Sequence, residues 1–434
     1  MNAFDDSVAP APEHKPGPGS GAAQPAGAPP EAQPAAGRRA SLDARWLRGL
    51  LELVGSPPLE FILWTGERVA AGSGEPIARV RISDRATLLG LLANPQMRFG
   101  DAYSEGRINI EGDLVGMLEE VYRAGARARA RKSLLQRVTA GLHRPHVNTL
   151  TGSRDNIHHH YDIGNAFYQL WLGPTMAYTC AYYPTPSATL DEAQTAKMDH
   201  VARKLRLKAG ERVVEAGCGW GTLALHMARH YGVKVRAFNI SREQVAYARE
   251  RAQREGLAAQ VEYVLDDYRS IAGEYDAFVS VGMLEHVGLA NYENLGRIAH
   301  AAIGSNGRGL IHTIGRNRPS GPLHPWIERR IFPGAYPPSL GEMSRIFEPF
   351  SLSILDVENL RLHYAQTLRH WLQLYENTSE RVREMFDDRF VRMWRLYLCG
   401  SVAAFTTGGL QLFQVLFAPQ GSNEVPLTRA HLYA

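Results

Sequence analysis

The stretch VVEAGCGWGTLALHMARHYG, residues 213–232, decides how this chain of 434 residues folds. A short apolar strand is predicted to run into Glu215, the glycines Gly217, Gly219 and Gly221 follow, and a helix comes after them. Glycine allows a tight turn and lets the backbone approach a ligand closely. A strand, a glycine-rich turn and a helix in this order are typical of a cofactor-binding loop.

The spacing of the glycines indicates which cofactor the loop binds. It is G-x-G-x-G, and not the G-x-G-x-x-G on which a dinucleotide pyrophosphate rests. With an acidic residue two positions before the first glycine, the pattern suits a cofactor that carries an ammonium and a carboxylate, which is S-adenosylmethionine. The alternative is another doubly wound binder, such as an oxidoreductase.

Two later segments favour the methyltransferase. Asn239 ends the second predicted strand, where a ribose-binding polar residue belongs, and Ile240 and Gln244 follow it. The third predicted strand is followed by Asp266 and Tyr268, where an acidic or aromatic side chain could meet the adenine. A methyltransferase requires a glycine loop, then a polar residue after the second strand, and then an acidic or aromatic residue after the third. The sequence has all three in this order.

Strands and helices alternate from about residue 155 to the C-terminus. The strands are predicted at 212–215, 234–239, 261–265, 277–281 and 309–313, and the helices at 222–231, 241–255 and 292–303. This alternation predicts an α/β fold with a doubly wound, mostly parallel sheet that is covered by helices.

Four segments divide the chain. Residues 1–41 are rich in Ala, Pro and Gly and are predicted to be a disordered tail. Residues 42–125 are predicted to form a small α+β accessory domain, 126–150 a basic linker, and 151–434 the catalytic domain.

Composition excludes several classes of protein. Hydrophobic residues make up 44% and charged residues 21%, and the net charge of +4 is too mild to indicate a nucleic-acid partner. Cys180, Cys218 and Cys399 are too far apart in sequence for a zinc motif or a disulfide framework, so we expect a reducing, cytoplasmic compartment. No apolar run is long enough for a transmembrane helix, and the first residues lack the pattern of a secretory signal.

Several long motifs resemble the cyclopropane fatty acid synthase family, which includes the mycolic acid cyclopropane synthases. Besides the glycine loop they are HYDIGNAFYQLWLGPTMAYTCAYY (160–183), FVSVGMLEHVG (278–288), GLIHTIGR (309–316), IFPGAYPPSL (331–340) and LRLHYAQTLRHW (360–371). The resemblance implies a class I methyltransferase that converts a cis double bond of an acyl chain into a cyclopropane. The additional N-terminal third makes the phospholipid-modifying branch the closer analogue.

The resemblance also implies site residues. It places a bicarbonate ion as the base, held by Glu285, His312, Tyr364 and the backbone of Cys180 and Ile314. It carries cofactor contacts over to Tyr178, Thr179, Gly217, Asn239, Ile240, Gln244 and Tyr268.

The chemistry requires a base for a reason that is independent of the resemblance. Methyl addition to an alkene leaves a carbocation, and ring closure removes a proton from the new methyl group. A dry, aromatic-rich site with one positioned base meets both needs.

Partners and rival functions complete the expectations. The substrate implies transient docking on the inner face of the membrane through the N-terminal domain and the basic cluster at 127–137, and the family implies a homodimer. The rivals are a related enzyme that leaves a methyl or methylene branch, and a non-catalytic lipid-binding protein.

We expect no metal site, because the adjacent His158, His159 and His160 point in different directions.

Overall fold

The computed structural model describes residues 40–131, 163–319, 323–424 and 426–433. Ser41–Ala434 form one compact unit. Nearly all of the predicted tail and most of the predicted linker, with His158, His159 and His160, lie outside the described residues.

The N-terminal part is a four-stranded sheet with helices packed on it. The sheet has the order β2-β1-β3-β4, in which β1 and β3 are parallel and the other neighbours are antiparallel. The strands are β1 (Leu59–Ile62), β2 (Arg68–Ala71), β3 (Ala78–Ile82) and β4 (Ile108–Gly112). The helices are α1 (Leu42–Leu53), α2 (Arg85–Ala93), α3 (Pro95–Ser104) and α4 (Leu114–Arg131).

Local sequence explains where these helices begin and where one ends. The side chains of Ser41 and Asp84 accept hydrogen bonds from backbone amides in the first turns of α1 and α2, at 3.1 and 2.7 Å. The last helix, α4, runs to Arg131 and therefore continues beyond residue 125, where the small domain was predicted to end.

The second sheet has seven strands in the order β10-β11-β9-β8-β5-β6-β7. The strands from β9 to β7 are parallel, and β11 runs antiparallel to both β9 and β10. Its strands are β5 (Arg212–Ala216), β6 (Lys234–Asn239), β7 (Val261–Leu265), β8 (Ala277–Val281), β9 (Arg308–Gly315), β10 (Leu352–Asn359) and β11 (Gln411–Pro419).

Helices cover both faces of this sheet, because its central strands are apolar on both sides. Every residue of β8 and of β11 is buried. The helices are α5 (Asn165–Gln169), α6 (Leu190–Lys204), α7 (Thr222–Tyr231), α8 (Arg242–Arg254), α9 (Leu284–Val287), α10 (Tyr292–Ile303), α11 (Pro325–Arg330), α12 (Leu340–Phe347), α13 (Arg361–Asn377), α14 (Ser379–Met385) and α15 (Asp388–Thr406).

The N-terminal domain is attached to the larger one through α15. Arg392 donates hydrogen bonds to the carbonyl oxygens of Tyr103 and Ile108, at 2.6 and 2.8 Å, and its guanidinium lies 4.3 Å from the centre of the Tyr103 ring. A second contact is the ion pair between Arg330 and Asp101, at 3.1 Å. These bonds fix the position of α3 and β4 against the catalytic domain.

We expect Arg392→Ala to lower the free energy of unfolding by about 1.5–3 kcal/mol, because two carbonyl groups lose a charged donor. Arg389→Ala is the matched control on the same helix, since the Arg389 side chain is exposed and lies 3.8 Å from Glu105, and it should change stability by no more than about 0.5 kcal/mol. Urea unfolding followed by circular dichroism measures both. Equal stability of the two variants would contradict the assigned role of Arg392.

Candidate active site

The glycine loop lies at the carboxyl end of β5, the edge at which doubly wound sheets bind ligands. Gly217 has a φ of +83°, and an added Cβ there would lie 2.8 Å from the Cβ of Met283. Gly219 also has a positive φ, of +53°, but an added Cβ would meet no described atom within 4 Å. Gly221 immediately precedes α7, and its carbonyl accepts a hydrogen bond from the Tyr263 hydroxyl at 2.8 Å. The loop thus packs tightly at Gly217 and borders free space at Gly219.

A buried carboxyl group lies beside this loop. Glu215 is 2% exposed, and its Oε2 has no hydrogen-bond partner among the described residues. Burial raises the pKa of Glu215 to about 8, although the nearby Lys197 acts in the opposite direction. Such an unpaired buried acid is costly unless a ligand supplies a donor or a positive charge.

The polar residues after β6 hold the loop together. Asn239 donates through Nδ2 to the Gly219 carbonyl at 3.0 Å and to Gln244 Oε1 at 2.8 Å, and its Oδ1 accepts from the Ser241 amide at 3.2 Å. Ile240 follows at the same edge and is half-buried. Asn239 was predicted to bind a ribose, and in this arrangement its amide shapes the loop.

Tyr268 follows β7 at the same edge of the sheet. Its ring packs in the apolar cluster that includes Phe238, and its hydroxyl is buried without a partner in the part of the chain that the structure describes. The Arg269 guanidinium lies 5.1 Å from the centre of the ring. The unpaired acid, the open glycine turn and the aromatic ring together fit a nucleoside cofactor that carries an ammonium group.

A second group of polar residues lies where β8 and β9 end. Glu285, on α9, is 6% exposed, and its Oε1 accepts a hydrogen bond from the Ile314 amide at 2.5 Å. Its Oε2 is buried and unpaired within the described ranges. Burial raises the pKa of Glu285 to about 7, and the bond from Ile314 opposes that shift.

His312 presents a second unpaired atom. It is 1% exposed, its Nδ1 lies 3.1 Å from Gln414 Nε2, and its Nε2 has no partner among the residues described. Because the Gln414 amide donates to Nδ1, the ring proton belongs on Nε2. Burial lowers the pKa of His312 well below its ordinary value, so the ring stays neutral at physiological pH. A neutral N–H donor therefore lies in the same cavity as an unpaired carboxylate oxygen.

All five residues predicted as catalytic line one cavity of about 980 Å³, together with Tyr178 and Thr179. Those five are Cys180, Glu285, His312, Ile314 and Tyr364. Burial raises the pKa of the Cys180 thiol far above its ordinary value, which agrees with a role for its backbone and not for its sulfur. The Ile314 amide, predicted to hold an anion directly, donates to Glu285 instead.

Aromatic rings enclose this cavity on the side of α13 and α15. The ring of Tyr364 lies 4.6 Å from Phe405 and 6.0 Å from Trp371, measured between ring centres. Tyr178 packs edge-on against Trp171 at 5.2 Å, and its hydroxyl lies 2.8 Å from that of Tyr397. The negative faces of such rings stabilise a nearby positive charge.

Sequence reasoning missed several residues of the site. Lys197 is buried on α6, donates to Thr179 Oγ1 at 2.8 Å, and has its pKa lowered by burial to about 8. Tyr397 lies in an apolar helix and Arg316 at the end of β9, and both line the cavity. No spacing in the sequence marks a buried lysine, but the apolar stretch around Tyr397 could have indicated a cavity wall.

His286, the neighbour of Glu285 on α9, lines the same cavity. Burial lowers its pKa to about 4, so it is neutral under physiological conditions. In the described ranges no group of His, Cys, Asp and Glu is arranged to hold a metal ion. Within the same ranges, each helix is too short or too polar to cross a bilayer.

Comparison with known proteins identifies the family of the chain. A family model described as mycolic acid cyclopropane synthetase matches residues 148–415, and a model for a domain of unknown function matches residues 47–132. A "probable fatty acid methyltransferase" of Pseudomonas putida is 36% identical over 87% of this chain and 96% of its own length. The cyclopropane-fatty-acyl-phospholipid synthase of Escherichia coli K12 is 37% identical over 62% of this chain and 69% of its own.

The solved structure of mycolic acid cyclopropane synthase CmaA1, complexed with SAH and CTAB, superposes with a TM-score of 0.58. It is 27% identical and covers 61% of this chain and 97% of its own. Fold and site thus define a class I S-adenosylmethionine-dependent methyltransferase. The chain belongs to the mycolic acid cyclopropane synthetase family, whose model matches more than half of it.

We expect cofactor binding at neutral pH to release a proton, because the buried Glu215 carboxyl, with its pKa raised to about 8, must ionise to pair with an ammonium. Calorimetric titration with S-adenosylhomocysteine in two buffers of different ionisation enthalpy measures that proton.

Glu215→Gln should abolish the release and weaken binding at least roughly ten-fold, since a hydrogen bond to a charged group contributes about 1.5–3 kcal/mol. An unchanged proton count in this variant would remove Glu215 from the cofactor site.

Proposed function

We propose that this protein transfers a methyl group from S-adenosylmethionine to the cis double bond of acyl chains in membrane phospholipids, and closes a cyclopropane ring. The observation that carries the proposal is a pair of atoms that have no partner among the described residues, Glu285 Oε2 and His312 Nε2, in a mostly apolar cavity. An alkene offers no acidic proton, so these polar groups are not needed to activate it. These polar groups suit ring closure, in which a base removes a proton from the added methyl group.

The bound cofactor supplies a sulfonium methyl group, which is already a strong electrophile. The residues of the chain hold the alkene in line with it and keep water out. The rings of Tyr178 and Tyr364 border the space in which positive charge develops on the acyl chain, and their faces stabilise that charge. The buried Trp371 ring packs against both of them. Water exclusion matters, because a carbocation would otherwise be trapped as an alcohol.

The two unpaired atoms fit a bicarbonate ion. When bound, bicarbonate supplies a base for the departing proton. The His312 Nε2–H can donate to an anionic oxygen of the ion, and the Glu285 carboxylate can accept from its hydroxyl group. The two side chains therefore match an ion that has one hydrogen-bond donor and several acceptors. The bond from the Ile314 amide holds the Glu285 carboxylate in one orientation.

A second candidate product deserves a direct test. The relative in Pseudomonas putida, which matches over nearly its whole length, is named as a fatty acid methyltransferase. After a hydride shift in the same carbocation, loss of a proton to the base would leave a methylene branch or a methyl-branched alkene instead of a ring.

The test incubates the full chain with isotope-labelled S-adenosylmethionine and vesicles of monounsaturated phosphatidylglycerol, followed by proton NMR of the extracted lipid. We expect high-field cyclopropyl protons. Vinylidene or branched-methyl protons would establish the second candidate, and unlabelled lipid from a chain that binds the cofactor would indicate a non-catalytic lipid-binding protein.

The site residues predict separate effects on binding and turnover. We expect Glu285→Gln and His312→Ala each to lower kcat by about 10²–10⁴-fold, the usual contribution of acid–base catalysis. Cofactor affinity should persist in both variants, because neither residue belongs to the glycine-loop site. Glu293→Gln, on an exposed side chain of α10, is the control and should keep full activity. Normal turnover in either site variant would remove the bicarbonate assignment.

Docking on a bilayer has a candidate surface on α1. Leu42, Trp46 and Leu53 recur there at helical spacing and are 58%, 42% and 69% exposed. The exposed Arg45 and Arg48 lie on the same helix. Apolar and basic side chains together suit an anionic phospholipid surface. Of the basic cluster predicted at 127–137, Arg127 is exposed and most of the rest lies outside the described residues.

We expect the double variant Trp46→Ser, Leu53→Ser to lose most of its binding to phosphatidylglycerol vesicles in co-sedimentation. Leu362→Ser, an equally exposed leucine in the catalytic domain, is the control and should bind normally. An Arg127/Arg129/Arg131→Ala variant that binds as the native chain does would exclude the basic cluster from the docking surface.

A further inference from the structure

The cavity that contains Glu285 and His312 extends into the N-terminal domain. Each of five elements of that domain contributes an apolar wall residue, namely Leu51 of α1, Phe61 of β1, Leu91 of α2, Phe99 of α3 and Leu118 of α4. The cavity therefore crosses the boundary between the two domains, and about a third of its wall comes from outside the methyltransferase fold.

A void of this kind is not an ordinary packing defect. Leu51, Phe61 and Leu91 are buried from solvent and yet face empty space. Protein interiors are normally packed as densely as organic crystals, and side chains around an empty cavity lose their dispersion contacts. A cavity of about 980 Å³ lies at the upper end of the usual range for ligand sites, about 300–1,000 Å³. Its apolar lining in the small domain indicates an apolar ligand.

The two halves of the cavity are held together before any ligand binds. Arg392 of α15 fixes Tyr103 and Ile108 of the small domain, and Gly100 of α3 packs directly against the Trp326 ring of α11. The same helix α15 lines the catalytic half with Gly400, at which an added Cβ would meet no described atom within 4 Å. A continuous space therefore runs past α15 from the catalytic residues into the small domain.

We propose that the N-terminal domain is the distal half of the acyl-binding site, and that its chamber accommodates the chain on one side of the double bond and limits its length. We define the distal chamber as the part of the cavity lined by Leu51, Phe61, Leu91, Phe99, Leu118 and the nearby Val121. The inference rests on the proposed function, since it takes an acyl chain to be the substrate. It assigns a specificity-determining role to the segment that matches a domain of unknown function.

The test uses the full chain and variants that change the volume of the chamber. Leu118→Trp and Val121→Trp fill it from α4, and Phe99→Ala enlarges it. Ala126→Trp is the matched control, because Ala126 is exposed on the same helix and does not line the cavity.

Phosphatidylglycerol with palmitoleoyl chains competes with the oleoyl lipid in one reaction and with the cis-vaccenoyl lipid in another, and mass spectrometry measures the products. Palmitoleoyl and oleoyl chains differ only on the methyl side of the double bond, and palmitoleoyl and cis-vaccenoyl chains only on the carboxyl side. We expect the tryptophan variants to favour palmitoleoyl over one of the longer chains by roughly ten-fold, as methylene groups do in apolar pockets. Phe99→Ala should shift the same ratio in the opposite direction.

A binding measurement separates this inference from the proposed function. Fluorescence titration with cis-parinaric acid should show binding by the native chain and by Ala126→Trp, and binding weakened roughly ten-fold in Leu118→Trp and Val121→Trp, whether or not methyl transfer occurs. If the product ratios and the parinaric acid affinities of all the chamber variants equal those of the native chain, the chamber is not part of the acyl site. Lack of methyl transfer by a native chain that binds parinaric acid as described would contradict the proposed function alone.

Discussion

The hydrogen bond from the Ile314 amide to the Glu285 carboxylate, at 2.5 Å, is the interaction on which the site depends. It joins α9, which follows β8, to the end of β9, and so fixes a buried acid at the carboxyl edge of the sheet. Burying a carboxyl group is costly, and this bond satisfies only one of its oxygens. The other oxygen and His312 Nε2 have no partner in the part of the chain that the structure describes, and both can bind a ligand.

The rest of the architecture supports that pair. Gln414, on the antiparallel strand β11, sets the tautomer of His312, and the aromatic rings on α13 and α15 keep the cavity apolar. The cofactor loop lies on the neighbouring β5, where Glu215 provides the second unpaired acid. Two buried acids with raised pKa values thus have different surroundings, since Glu215 lies beside a glycine turn and Glu285 lines the same cavity as a neutral histidine.

Most of the cofactor half could be predicted from the sequence, because it depends on local patterns. The observed bounds of β6, β7, β8, α7 and α10 agree with the sequence-based expectation. The pair β10 and β11 was not predicted, since β11 is apolar at nearly every position and lacks the alternation that identifies a strand. Side-chain partners were also beyond prediction, as Asn239 and the Ile314 amide show, because they depend on contacts between distant segments.

Bicarbonate dependence tests the central claim most directly. The rate of methyl transfer by the native chain is measured in buffer freed of carbon dioxide, before and after bicarbonate is restored, with nitrate as a control anion of similar shape and far weaker basicity. The two unpaired atoms predict that activity falls on removal of bicarbonate, recovers when it is added back, and does not recover with nitrate. An unchanged rate in the bicarbonate-free enzyme would contradict the account.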